Sequence, residues 1–330
     1  METGRVMSGM RTTNRLHVGN YFGALKNWIE LQKNHECFFG AMNWHALTDG
    51  YKTPDVFLKY SRDMILDWLA FGIDPEKSVI YIQSEIPELM ELNMLFTMIT
   101  PMGWLERVTT WKDAEVDLKA KDAHNLGRFS YPVLQTADIA IFKGELVPVG
   151  QDQIPHIELS REIVRRFNFL YKTKIPEPKV LLTEAPAVPG LDGRKMSKSY
   201  DNFIPLIEEP LVIEKLIKPM MTDPARVRRT DPGNPDICPV YGLHKLYSSA
   251  EEKAFVDNGC RTAGIGCIDC KMILIKNVNS IVKEPLEKRK ELLNNPSQLD
   301  GIIANGCERA RSESKKTMNE IKEALGWPSI

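Results

Sequence analysis

The 330 residues carry 43% hydrophobic and 26% charged side chains at a net charge of −1, a length for two domains or one large one and the balance of an ordinary globular protein. No apolar run approaches the roughly 18 residues of a membrane span, and Met1–Arg11 lacks the basic-then-apolar layout of a secretory signal, so a cytoplasmic location is expected. Near-neutral charge excludes a uniformly basic coat. It leaves room for RNA on a local patch such as Arg226, Arg228 and Arg229, for which a solvated loop cluster is the plainer reading.

Arg5–Gly9 reads as a short buried strand ending in a turn. Tyr21–Gln32 sets Tyr21, Leu25, Trp28 and Leu31 at helical spacing. Glu36–Met42 is a second strand, and Pro54–Phe71 a helix stopped by Gly72. Ser78–Gln83 is a third strand, Pro87–Ile99 a helix, Val147–Val149 a strand end and Gln153–Arg166 a helix. Strands alternating with helices predict an α/β fold with a Rossmann-like, doubly wound parallel sheet. Ligands of such sheets lie outside the carboxyl ends of the strands. Ser8–Asn20, Asn43–Asp49 and Gly150–Gln153 follow those ends and are expected to meet at one crevice.

Glu184–Lys198 turns rich in proline, glycine and charge, a mobile loop or linker. Beyond it Leu206–Met221 and Cys270–Leu293 read as helices without strand alternation, giving a second, smaller all-helical domain. The expected domains are 1–185 and 186–299, with an amphipathic helix at about 300–328 packing back on the first.

Two segments carry chemistry. His17-Val18-Gly19-Asn20 lies between a strand and a helix, where free backbone N–H groups and the helix dipole favour phosphate. Alone it is also an ordinary turn. Lys195-Met196-Ser197-Lys198-Ser199 puts two lysines on the Gly/Pro-rich segment, suited to closing on a polyphosphate; by charge alone it is an exposed basic loop.

In this order the two segments resemble the signature pair of class I aminoacyl-tRNA synthetases, and the chain is most similar to the bacterial-type tryptophanyl family. Further anchors are Ser8–Arg11, His17–Leu25, Trp44–Thr48, Tyr131–Asp138, Pro148–Gln153 and Arg194–Tyr200. The resemblance implies that ATP and L-tryptophan are substrates with Mg²⁺ on the phosphates, and that tRNA(Trp) accepts the acyl group. It implies a homodimer as well. It gives His17, Asn20, Lys195 and Lys198 catalytic roles at the phosphates. It makes Met10, Arg11, Thr12, Thr13, Gly19, Gly150, Gln151, Asp152, Met196, Ser197 and Ser199 part of the ATP site. Asp138 becomes the acceptor for the indole N–H, Tyr131 and Gln153 the clamp on the α-amino end, and Met7, His45 and Gln135 the remaining wall.

The chemistry of indole agrees with this. Its one polar handle is an N–H donor, for which a buried carboxylate is a charge-assisted acceptor. A site built around such a bond rejects an analogue lacking it by roughly 10⁴ to 10⁵. Plainer readings are a helix-surface acid for Asp138, core or helix surface for Met7 and Gln135, and a satisfied histidine behind a strand for His45. The chain departs from many relatives at Arg11, where Gln is usual, at Asn43, where an acid is common, and at Gln135, often Met.

Cys238, Cys260, Cys267 and Cys270 form C-x21-C-x6-C-x2-C. From spacing alone four thiolates suit zinc before iron–sulfur, with no metal at all as a third reading. A minority of the family resembles this chain further in carrying a similar set on [4Fe–4S], which reverses the order and keeps Zn²⁺ as the alternative. Cys37 and Cys307 read as buried thiols. Two other functions stay open: tyrosine activation on the same fold, and a non-charging paralogue that binds without catalysing.

Overall fold

The computed structural model describes residues 4–108, 125–183 and 186–327, without the side chain of Ser199. Glu184 and Ala185, at the expected domain boundary, lie outside the described residues, as does the Ser199 side chain of the expected ATP site. The chain forms two compact units, one of residues 1–14, 26–184 and 295–330, the other of 15–25 and 185–294.

The first unit is built on five parallel strands: β1 (Val6–Arg11), β2 (Cys37–Met42), β3 (Ser78–Ile82), β4 (Leu146–Val149) and β5 (Lys179–Leu182). Their order is β3-β2-β1-β4-β5. The chain moves outward from β1 on one side and returns to begin β4 on the other, so the β1/β4 boundary is the topological switch point. β2 and β3 are buried along their whole length, as strands covered on both faces must be. Trp28 stacks on Phe39 of β2 at 4.5 Å and meets Trp68 edge-on at 5.1 Å, locking flanking helices to the sheet. In chain order this unit holds α2 (Lys26–Leu31), α3 (Asn43–Gly50), α4 (Val56–Ala70), α5 (Pro87–Ile99), α6 (Met102–Leu105), α7 (Leu126–Ile141), α8 (Ile154–Tyr171) and, after an excursion into the second unit, α13 (Pro296–Ala324). No described helix is long and apolar enough to cross a membrane.

The second unit is helical: α1 (Val18–Asn20), α9 (Pro210–Ile217), α10 (Pro239–Tyr247), α11 (Ala250–Arg261) and α12 (Cys267–Asn294). α1 does not run smoothly into α2, because Tyr21–Leu25 takes a π-helical turn and the unit boundary falls at its end. Other elements differ from the sequence expectation. Asn43–Asp49 is a helix, β5 is an additional strand, and α9 starts only at Pro210, since Ile204 and Leu206 are engaged elsewhere. Part of the expected loop, Val188–Met196, is a hairpin closed by Met196 N–H to Val188 O at 2.8 Å and Gly190 N–H to Arg194 O at 2.7 Å.

Candidate active site

In the helical unit His17 is the N-cap of α1. Its Nδ1 accepts from Gly19 N–H at 3.1 Å, and its own N–H donates to Asn20 Oδ1 at 3.0 Å, a reciprocal capping box. Glycine is required at 19 because a Cβ there would lie 2.9 Å from the His17 ring. Burial, and then the charge of Lys198, lower the imidazole pKa to about 4. The ring is therefore neutral near pH 7, and with Nδ1 accepting, its proton sits on Nε2 as a donor.

This turn is zipped to the chain just beyond the twin lysines. Val18 N–H donates to Ile204 O at 3.1 Å, Leu206 N–H to Leu16 O at 2.9 Å, and the rings of His17 and Phe203 lie 6.0 Å apart. The two signature segments thus meet in one unit. Met196 is buried and anchors the hairpin, whereas Lys195 is exposed. Asn202, 3% exposed, fixes the lysine loop from inside. Its Oδ1 accepts from Ser197 N–H at 2.8 Å, and its Nδ2 donates to Asp192 at 2.6 Å and to Lys195 O at 3.3 Å.

In the sheet unit, Tyr131, Gln135 and Asp138 share one face of α7 by helical spacing. Asp138 is 2% exposed, so it is no surface acid. It accepts from His45 Nε2 at 2.8 Å and from Gln83 Nε2 at 2.8 and 3.0 Å. Tyr131 lies edge-on to His45, ring centroids 5.9 Å apart, and its hydroxyl is 3.2 Å from His156 Nε2. Met7 is buried on β1, where a Cβ on Gly144 would press against it at 2.8 Å. Met10 and Arg11 end β1, Thr12 and Thr13 follow it, and Gly150–Gln153 follow the adjacent β4. Thr12 Oγ1 is buried and lacks a hydrogen-bond partner among the described residues. Gln151 and Asp152 are exposed, and Gln153 Nε2 donates to Asp152 at 2.9 Å. Arg11 is engaged with Asp49, which also takes Arg128 Nη1 at 2.6 Å. Burial works to raise the Asp49 pKa, but the two guanidiniums outweigh it and hold the carboxyl below its usual range. Asn43 bonds reciprocally with Ser84, its Nδ2 to Ser84 Oγ at 2.7 Å and Ser84 N–H to its Oδ1 at 3.0 Å.

The sequence reading did not find Gln83, His156, Asn202 or Asp49. Gln83 stood as the last residue of a strand; the partners of Gln83, His156 and Asp49 come from other segments, and those of Asn202 from an irregular loop.

A family model described as tRNA synthetases class I (W and Y) matches residues 2–283. The chain belongs to this class I tRNA synthetase family. The synthetase is 49% identical to a tryptophan–tRNA ligase of Thermotoga maritima, over 97% of this chain and 98% of that one. It is 42% identical to the Ralstonia nicotianae tryptophan–tRNA ligase, over 98% of each. Among solved structures, the Campylobacter jejuni tryptophanyl-tRNA synthetase complexed with ADP and tryptophan superposes with a TM-score of 0.86 at 35% identity, covering 98% of this chain and 99% of that one.

The four clustered cysteines of the synthetase are all free thiols. Cys238 precedes α10, Cys260 lies on α11, and Cys267 and Cys270 open α12. Burial, followed by the charges of the other three, pushes Cys270 up to about 12. Arg226 Nη1 reaches Cys267 Sγ at 3.7 Å and Cys260 Sγ at 3.9 Å, so Arg226 is a partly buried neighbour of the thiols rather than part of a solvated cluster. Among the described residues, however, no three His, Cys, Asp or Glu side chains are grouped so as to hold a metal ion. The structure thus gathers the thiols but supplies no ready-made metal site, and the expected metal is not shown by it.

Proposed function

We propose that this synthetase is a tryptophan–tRNA ligase, activating L-tryptophan with ATP and passing it to tRNA(Trp). The observation that carries the choice of amino acid is Asp138, a buried carboxylate aligned with Tyr131 along one helix face. It suits a substrate whose single polar ring atom is a donor.

A tryptophan carboxylate oxygen attacks the ATP α-phosphorus in line. The α–β bridging bond breaks, and pyrophosphate leaves with that oxygen. No protein base is needed, because the carboxylate is already a nucleophile. His17 Nε2–H donates to a phosphate oxygen that gains charge, and Asn20 holds His17 in place through the capping box. Lys195 and Lys198 stabilise the departing pyrophosphate, and Mg²⁺ bound with the ATP would supply further positive charge. Met10, Arg11, Thr12, Thr13, Gly150, Gln151 and Asp152 surround adenine and ribose, while Met196, Ser197 and Ser199 complete the phosphate loop. Tyr131 and Gln153 take the α-amino group, and Met7, His45 and Gln135 line the ring. A terminal ribose hydroxyl of the tRNA then attacks the adenylate's carbonyl carbon, the bond from that carbon to the phosphate oxygen breaks, and AMP leaves, its phosphate able to take the hydroxyl proton.

A cytoplasmic homodimer completes the reading. Exposed Met94 and Met98 on α5, with Met102 at the start of α6, support self-association by offering apolar surface along one side of a helix.

The four thiols, we further propose, bind [4Fe–4S], with Zn²⁺ as the alternative. Support comes from the spacing of four soft donors in the sequence and from Arg226, which lies beside Cys260 and Cys267; its buried Nε has no partner among the described residues, and its charge suits an anionic group. A cluster is larger than one ion and tolerates ligands too spread to share an ion. Bound there, it would tie α10, α11 and α12 together.

Pyrophosphate exchange with each amino acid tests the activity. Exchange with tryptophan alone is expected, and exchange with tyrosine or with none overturns the reading. Anaerobically purified protein should be brown with bound iron and sulfide. Colourless protein with one zinc per chain overturns the cluster.

A further inference from the structure

The sheet unit holds a buried amide that the sequence did not point to. Gln83 is fully buried in the short 3₁₀ turn Gln83–Glu85 after β3. Its Oε1 accepts two backbone N–H groups at the start of α3, from Trp44 at 2.9 Å and His45 at 3.3 Å. Those donors have no partner inside the helix. Because two N–H groups face Oε1, the amide can be placed only one way round, and Nε2 must face Asp138. It lies 2.8 Å from Oδ1 and 3.0 Å from Oδ2.

The carboxylate oxygens are therefore unequal. Oδ2 receives Gln83 and, at 2.8 Å, His45 Nε2. Oδ1 receives only Gln83 among the described residues. A carboxylate oxygen accepts about two hydrogen bonds, so Oδ2 is saturated while Oδ1 has a further acceptor position. The reciprocal Asn43–Ser84 bonds hold the Gln83 turn against α3, so Gln83, His45 and Asp138 form one rigid triangle. They also explain an amide at position 43. It supplies both a donor and an acceptor to Ser84.

We infer that Gln83 is a positioning residue for amino-acid specificity, which orients Asp138 so that Oδ1 takes the indole N–H. This rests on Asp138 being the indole acceptor. Gln83 itself touches no substrate. It sets the direction of the carboxylate and, through the Trp44 and His45 N–H groups, the place of the histidine that occupies the other oxygen.

The test compares tryptophan with its benzothienyl analogue, in which sulfur replaces the indole N–H at nearly the same shape, by pyrophosphate exchange. Gln83→Met keeps the volume and removes both polar ends. It is expected to raise the tryptophan KM roughly 10- to 100-fold, the scale of a hydrogen bond to a charged group. The analogue's KM should move less than about threefold, so the selectivity ratio collapses. Equal losses for both substrates would show a merely structural role and overturn the inference.

Gln83→Glu supplies a second readout, one that holds if the methionine variant does not fold. Protonated, the new carboxyl can still donate to Asp138; ionised, it repels it. Selectivity should therefore recover as pH is lowered, and a flat pH profile overturns the inference. Asp138→Asn separates the two levels. If it leaves the ratio unchanged, the indole-acceptor reading fails. If it collapses the ratio while Gln83→Met does not, only the role of Gln83 fails.

Discussion

Gly19 gives the His17 ring room, the Gly19 N–H fixes its tautomer, and burial together with Lys198 keeps it uncharged. Its folded pKa of about 4 lies below the ordinary 6.5. The unfolded chain therefore binds the proton more readily between those values. Stability from this group is complete above about pH 6.5 and is lost as acid takes the pH down toward 4. Removing the lysine charge with Lys198→Met should move the imidazole titration upward in an NMR experiment, with burial still holding it below 6.5. In exchange kinetics the same variant should lower kcat at least tenfold, with tryptophan KM nearly unchanged. An unmoved titration would show that the lysine charge does not act on the ring. At this scale, short motifs were readable because His17, Gly19 and Asn20 satisfy one another locally. Gln83 was not, because its partner stands 55 positions away, and an amide at the end of an apolar strand carries no local pattern. Asn202 was hidden for a different reason: its three bonds lie within one irregular loop, whose path composition does not encode.

Among the elements, α13 has the tightest fit. A Cβ on Gly306 would lie 1.8 Å from the Ile80 carbonyl oxygen of β3, a backbone atom that cannot swing aside. Around it Arg309 Nη1 reaches Pro75 O at 2.6 Å and Arg311 Nε reaches Glu85 O at 2.6 Å. Gly306→Ala should therefore force the helix off the strand at a cost of about 2 kcal/mol or more, read as a lower urea midpoint with little change in slope. A wild-type midpoint would mean that the helix can shift without loss. Elements with a clean period were legible, such as Pro87–Ile99, whose bounds match α5. β5 was not: its four residues follow a proline-rich stretch and are incompletely buried at the sheet edge, without alternation. The start of α11 did carry a readable signal, the Ser249–Glu252 capping box.

For the whole molecule, the sequence suggests a boundary near residue 185 with the last helix returning to the first domain, while the fold also moves an early segment into the second unit. Residues 15–25 join 185–294, and residues 295–330 return to the sheet unit. No local signal marks the first crossing, because the helical period of Tyr21–Gln32 runs straight through the π turn at which the chain changes unit. His17 and Lys198 consequently belong to one body. Their electrostatic contact therefore lies within a single unit.

The covering of β3 bears on biogenesis. β3 is a terminal strand of the sheet, and its Ser78 and Ile80 carbonyls face Arg309 and Gly306 of α13. That helix leaves the ribosome after every other element described here. Until it emerges, a nascent chain holding all five strands presents an open hydrogen-bonding ladder to its neighbours on the same polysome.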